Sequence, residues 1–167
     1  MKFRASALQA LIRESLDTTR IVKDRPWAVE HEFVLTGKPG TKPDGFAIVL
    51  VGESGKTMRV LVDSNWDPQD GDQSDNTLKI EIDGQRPAAS STYVPVKFDS
   101  NTKQKIIVSN SPVSGLLTVA HAATVDSVPI VLLAVKNPFD SNEDIEFFTK
   151  NLGQGHYETD VVRFSAI

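Results

Sequence analysis

The densest set of possible ligands in the chain is DSNWDPQDGDQSDN, Asp63 to Asn76. Asp63, Asn65, Asp67, Asp70 and Asp72, followed by Asp75, place hard oxygen donors at close spacing among turn-forming residues, the donor type that calcium takes. The EF-hand arrangement is excluded. Counted from Asp63, the sixth position is Pro68 where glycine makes the sharp turn, and the twelfth is Ser74 where a bidentate Glu belongs. What remains is a generic acidic loop with three uses: a solvated connection between strands, a calcium site that stabilises rather than catalyses, or an electrostatic dock for a basic surface. Trp66 in its middle favours contact, because a Trp among polar residues is a common interface anchor.

A second stretch, VLVGESGKTMRVLVD (Val49 to Asp63), has the look of a phosphate loop. Gly55, Lys56 and Thr57 match the end of G-x-x-x-x-G-K-[ST], but the first glycine falls on Leu50. A phosphate loop also needs a helix after the Thr, whose free N–H groups face the anion. Here Met58, Val60 and Val62 alternate as in a strand, and Pro68 closes off the space for a helix. The expectation is a hairpin: FAIVLV up, GESGK around, TMRVLV down.

Two stretches bear on nucleophilic catalysis. GLLTVAHAA (Gly115 to Ala123) resembles the His-bearing stretch of chymotrypsin-like serine proteases, and GESG (Gly52 to Gly55) resembles their nucleophile loop. The resemblance implies a Ser54–His121 pair. The chain departs from the family in order, since Ser54 precedes His121, and in having Lys56 where the Ser loop carries a glycine. No separate Asp stands out to orient the imidazole, Asp126 being only five residues on. His31, His121 and His156 have no metal spacing, and GQGHY (Gly153 to Tyr157) is explained by a helix stop before a strand. No cofactor and no enzymatic activity are expected.

The composition bounds the rest. With 167 residues, 40% apolar and 24% charged, the chain has the size and balance of one globular domain, residues 1–167, with no linker or repeat to divide it. It contains no cysteine, which removes disulfides, thiolate nucleophiles and sulfur-ligated metals. The net charge of −4 is uneven: residues 1–60 carry +3, 61–100 carry −5 and 101–167 carry −2. No basic cluster with interleaved aromatics exists, so nucleic acid is not an expected partner. Nor is a membrane, since no 18-residue apolar run occurs. Arg13, Glu14 and Asp17 interrupt any secretory h-region, so synthesis in the cytoplasm is expected.

Ala7, Leu8, Leu11, Ile12 and Leu16 fall at helical spacing, which predicts an amphipathic helix over residues 5–18 that packs on its own domain or on a neighbouring subunit. After Pro26 the period becomes alternating. Strands are predicted at Trp27–Leu35, Phe46–Val51, Met58–Val62, Thr77–Ile82, Thr92–Phe98, Lys105–Ser109, Gly115–Ala120 and Val128–Val135, with a closing strand in HYETDVVRFSAI. PFDSNEDIEFFTKNL (Pro138 to Leu152) reads as a second helix, with Ser141 or Asn142 as cap, Glu143, Asp144 and Glu146 in the first turn and Gly153 as stop. The fold class is therefore mainly β, a sandwich or curled antiparallel sheet with an N-terminal helix and a helix near the C-terminus, with α+β as the alternative.

Three functions fit. The first is a structural, self-associating subunit of a larger particle, such as a capsid decoration or tail component of a bacteriophage-type virion. Its partners would be other copies of itself and other particle proteins, and its contacts Leu8, Leu11, Ile12, Trp66 and Tyr157. The alternative is a β-sandwich binding module for carbohydrate or protein, with Trp66, Tyr93 or Tyr157 as the aromatic contact. The third is a hydrolase using His121.

Overall fold

In a computed structural model of the chain, the described residues are 19–22, 26–35, 44–64, 76–88, 92–96, 98, 102–140, 143–151 and 157–166. They form the strands β1 (Thr19–Val22), β2 (Trp27–Leu35), β3 (Asp44–Gly52), β4 (Thr57–Ser64), β5 (Asn76–Ile82), β6 (Tyr93–Pro95), β7 (Gln104–Ser111), β8 (Leu116–Ala122), β9 (Ile130–Lys136), β10 (Asp144–Asn151) and β11 (Tyr157–Ala166). Every pairing is antiparallel. A six-stranded sheet has the order β1-β10-β3-β4-β5-β6, and a five-stranded sheet the order β11-β2-β7-β8-β9. The chain is thus mainly β, a two-sheet sandwich.

Alternation makes the sandwich. Along β7, Gln104, Ile106, Val108 and Asn110 are buried while Lys105, Ile107, Ser109 and Ser111 are half-buried, so one face of the strand turns inward. Phe46, Ile48 and Leu50 of β3, Val60 and Val62 of β4, Leu78 and Ile80 of β5 and Phe147 of β10 meet Trp27, Val29, Phe33, Val108, Val119 and Leu133 from the other sheet in one core. Two aligned sheets with interdigitated inner faces are the stable way to bury two such apolar surfaces.

One predicted helix is corrected. Residues 144–151 are strand β10, which sits between β1 and β3, and no helix occurs among the described residues. Ile145 and Phe147, two residues apart, enter the core, and Phe148 turns to the opposite face, a period of two that a helix cannot satisfy. The acid read as a first-turn helix residue has another task. The Glu143 carboxylate accepts hydrogen bonds from the backbone N–H groups of Ser54 and, at 2.9 Å, of Asp140. The predicted helix over 5–18 lies outside the described residues.

The hairpin between β3 and β4 forms as expected, closed by Gly55 N–H to Gly52 O and Gly52 N–H to Lys56 O, both 2.9 Å. After β5 the chain turns at Asp83 and Gly84, whose φ angles of 50° and 80° make the mirror-image turn that Asp-Gly favours. This aims Asp83 at the neighbouring hairpin. Its Oδ1 accepts Thr57 N–H at 2.9 Å and its Oδ2 lies 3.4 Å from Lys56 Nζ. Those contacts hold the Asp83 carboxyl below its ordinary pKa, the Thr57 hydrogen bond first and the Lys56 charge after it.

His31 occupies an inner-face position of β2, fully buried, 4.8 Å from the Phe46 ring, with neither ring nitrogen hydrogen-bonded. Burial disfavours its charged form and lowers its pKa from 6.5 to about 4. Between those two values the unfolded chain binds a proton that the folded chain refuses, so stability falls as pH drops through this window.

Two predictions follow from this packing. Urea-denaturation profiles of the natural chain and of His31→Leu should diverge between pH 7 and pH 4, the natural chain losing about 3 kcal/mol more, at 1.36 kcal/mol per pKa unit. A Cβ at Gly52 would collide with the Glu143 carboxylate and with the Phe139 ring. Gly52→Ala should therefore lower the unfolding free energy by about 1–3 kcal/mol, the usual cost of overpacking, read by the same assay.

Candidate functional site

The strand register gives the sandwich two unlike ends. Phe46 of β3 lies 4.9 Å from Phe33 of β2, Phe33 lies 6.0 Å from Phe98, and Phe98 lies 5.2 Å from His121. These rings mark one end. At this end Leu35 pairs with Tyr157, Asp44 with Ser64, Asp63 with Thr77, Thr77 with Pro95 and His121 with Ile130. Segments 36–43, 65–75 and 152–156, together with the 123–129 turn, all connect strand ends located here. The opposite end is marked by Gly52 and by Asn110, whose Oδ1 accepts a 3.2 Å hydrogen bond from Asn137 Nδ2.

A pocket of ≈330 Å³ lies at the Phe46 end, where the edge strands of the two sheets approach each other. Pro95, Val96, Ala123, Val128, Ile130 and Leu132 make its apolar walls, and His121 and Ser127 contribute the polar groups. Both polar groups are engaged. His121 Nε2–H donates to Gln104 Oε1 at 2.9 Å, which puts the imidazole proton on Nε2. The Ser127 hydroxyl donates to Thr124 O at 2.9 Å and accepts Thr124 N–H at 2.7 Å, closing the turn. Such a pocket can take an apolar group; it holds no activated nucleophile among the described residues.

The remaining sequence candidates fall as follows. Ser54 sits in the β3–β4 turn, at the opposite end from His121. Six residues of extended strand, about 20 Å, separate Gly52 from Phe46, so Ser54 and His121 do not form a pair. The phosphate-loop lookalike has its donors already satisfied: Ser54 N–H by Glu143, Thr57 N–H and Lys56 by Asp83. Asp63 lies near the end of β4, in register with Gly45 and Thr77, and Tyr157 opens β11. Tyr93 is 40% exposed on edge strand β6, with Arg86 Cζ 5.2 Å above its ring. Leu8, Leu11, Ile12, Asn65, Trp66, Asp67, Asp70, Asp72 and His156 lie outside the described residues.

Sequence reading missed Gln104 as the partner of His121 and Glu143 as the tie across the β3–β4 turn. Neither carries a local signal, since the partners are 17 and 89 residues away. The apolar run VPIVLL, Val128 to Leu133, did carry one. It is more apolar than a half-buried strand needs, and Val128, Ile130 and Val131 are 83%, 65% and 60% exposed.

No protein-family profile and no curated protein sequence matches the chain. Solved structures do match in shape. Lectin UEA-II in complex with galactose is similar with a TM-score of 0.63 and 12% identity, over 88% of this chain and 77% of that one. The carbohydrate recognition domain of Emp47p is similar with a TM-score of 0.61 and 18% identity, over 90% and 75%. The exoplasmic/lumenal domain of VIP36, in a form bound to Ca2+ and Man3GlcNAc, is similar with a TM-score of 0.58 and 11% identity, over 87% and 71%. The likeness is one of fold: the two antiparallel sheets make a legume-lectin-like β-sandwich.

Proposed function

We propose that the chain is a β-sandwich binding module for a carbohydrate, and that it meets its ligand at the Phe46 end. The observation that supports this reading is the convergence at one end of the strand ends flanking 36–43, 65–75 and 152–156, beside the pocket. Connections clustered on a rigid sandwich are where such folds carry recognition. By sequence they include the oxygen-rich stretch that follows Asp63 and the aromatic candidate Trp66, with Tyr157 at the start of β11, residues that suit a polyhydroxylated ligand with one apolar face. The fold likeness to carbohydrate-recognising domains adds to it, though fold alone does not carry function.

Among the described residues no group of acids and histidines is arranged to hold a metal ion. Calcium, through Asp63, Asn65, Asp67, Asp70 and Asp72, therefore enters as a variable of the test. A second reading, the self-associating particle subunit, has one observation in its favour, the exposed Val128, Ile130 and Val131 on and beside edge strand β9.

The test is titration calorimetry of the full chain against a panel of mono- and oligosaccharides, in calcium and in chelator. Saturable binding is expected for at least one sugar. Trp66→Ala should weaken it by about tenfold, the scale of one stacking contact, with the thermal transition unchanged. No binding across the panel, with light scattering showing a discrete oligomer, would replace this reading with the particle subunit.

A further inference from the structure

The core of the sandwich runs out to the surface at one margin. Among the described residues β6 and β9 are the last strands of their sheets, and they approach each other there. Val96 and Leu132 pack on the core cluster from this side, and the same two side chains line the pocket of ≈330 Å³. Packed sheets stand about 10 Å apart, a gap that side chains from both inner faces fill. Here the filling stops at Val96 and Leu132, and the space beyond them is the pocket. Its outer wall includes Val128 and Ile130, aliphatic side chains that are 83% and 65% exposed. Single exposed hydrophobes are ordinary, but an apolar surface continuous from the core to solvent marks a place of binding.

We propose that this pocket binds an uncharged aliphatic chain, the hydrocarbon part of an amphiphile whose polar head stays in water. No Asp, Glu, Lys or Arg lines it, so nothing in its walls offsets the cost of drying a charged ligand group. Its two polar side chains are committed within the protein: His121 Nε2 is bonded to Gln104 Oε1 at 2.9 Å, and Ser127 is closed on Thr124. Recognition therefore draws on apolar area, which a run of methylenes supplies. Apart from His121, whose ring already meets Phe98 edge-on at 5.2 Å, the walls are aliphatic and offer no face for aromatic stacking. A strand from another protein is a poor occupant. Pro129 precedes β9, the pairing of β9 slips between Val119 and Ala120 of β8, and β6 is three residues long and ends on Pro95. These are devices that keep an edge from pairing further. The site needs no sugar, so it stands or falls separately from the carbohydrate reading.

The test is a titration of the full chain with n-butanol, n-hexanol and n-octanol, followed by methyl NMR. Saturable shifts are expected at the methyl groups of Val96, Val128, Ile130 and Leu132, with affinity rising about fourfold for each added methylene until the pocket is full. Ile130→Asp places a charge on the wall and should weaken n-octanol by at least about tenfold. Val128→Asp takes its place if that chain does not fold. Val113→Asp, at an exposed apolar position of the opposite end, should leave the affinity unchanged. No saturable shift with n-octanol, an affinity that does not grow with chain length, or equal behaviour of the wall variant and Val113→Asp would each overturn the proposal. So would shifts spread over the methyl groups of the whole core, the mark of a solvent loosening the fold. Shifts of the four residues on raising the protein concentration without alcohol would assign the surface to a second copy and overturn it as well.

Discussion

The contact of Phe46 with Phe33 and His31 across the sandwich is the constraint on which the rest depends. Among the described residues the two sheets share no backbone ladder, so their relative placement is set by side chains that interlock between them. Rings at 4.9 and 4.8 Å, extended through Phe98 to His121, fix that placement at one end. From it follows which strand ends are neighbours in space. The arrangement has a cost, because an imidazole without hydrogen bonds is enclosed among the rings and must stay neutral to remain there.

The two ends divide stability and recognition between them. At the Gly52 end the connections are tied by polar contacts, part-buried from Glu143 to the Ser54 and Asp140 amides and buried from Asn137 to Asn110 and from Phe139 N–H to Asn137 Oδ1 at 3.0 Å. Contacts of this kind hold turns in one geometry and leave few donors for a ligand. At the Phe46 end lies a pocket with apolar walls, beside the strand ends that flank the longer connections. The same contrast explains the GESGKT stretch. Its lysine and amides resemble an anion site in sequence, and two carboxylates of the same chain already occupy it.

Much of the fold was legible. Trp27–Leu35 is a strand with the bounds that its alternation indicates, and the GESGK and Asp-Gly turns form where small and turn-favouring residues stand. The misreading of 138–152 has an instructive cause. Ser141, Asn142 and the acids after them imitate a helix start, while the side chains that decide the matter, Ile145, Phe147 and Phe148, are sorted by two faces of a sheet that exists only once β1 and β3 flank them. Strand β1 is four residues long and carries too little pattern to be seen alone.

The sequence by itself determined that the chain is mainly β and without cysteine chemistry, and that GESGK is a hairpin rather than a phosphate loop, because period and turn chemistry are local properties. Tertiary structure alone decided that β10 is a strand, that Ser54 and His121 stand at opposite ends, and that the oxygen-rich connection starts and finishes at the pocket end. Those outcomes depend on pairings such as Ile145 with Gly52 and Leu35 with Tyr157, which join residues about a hundred positions apart in the chain. No local pattern encodes such a partner, because it is selected by the burial of two whole faces at once.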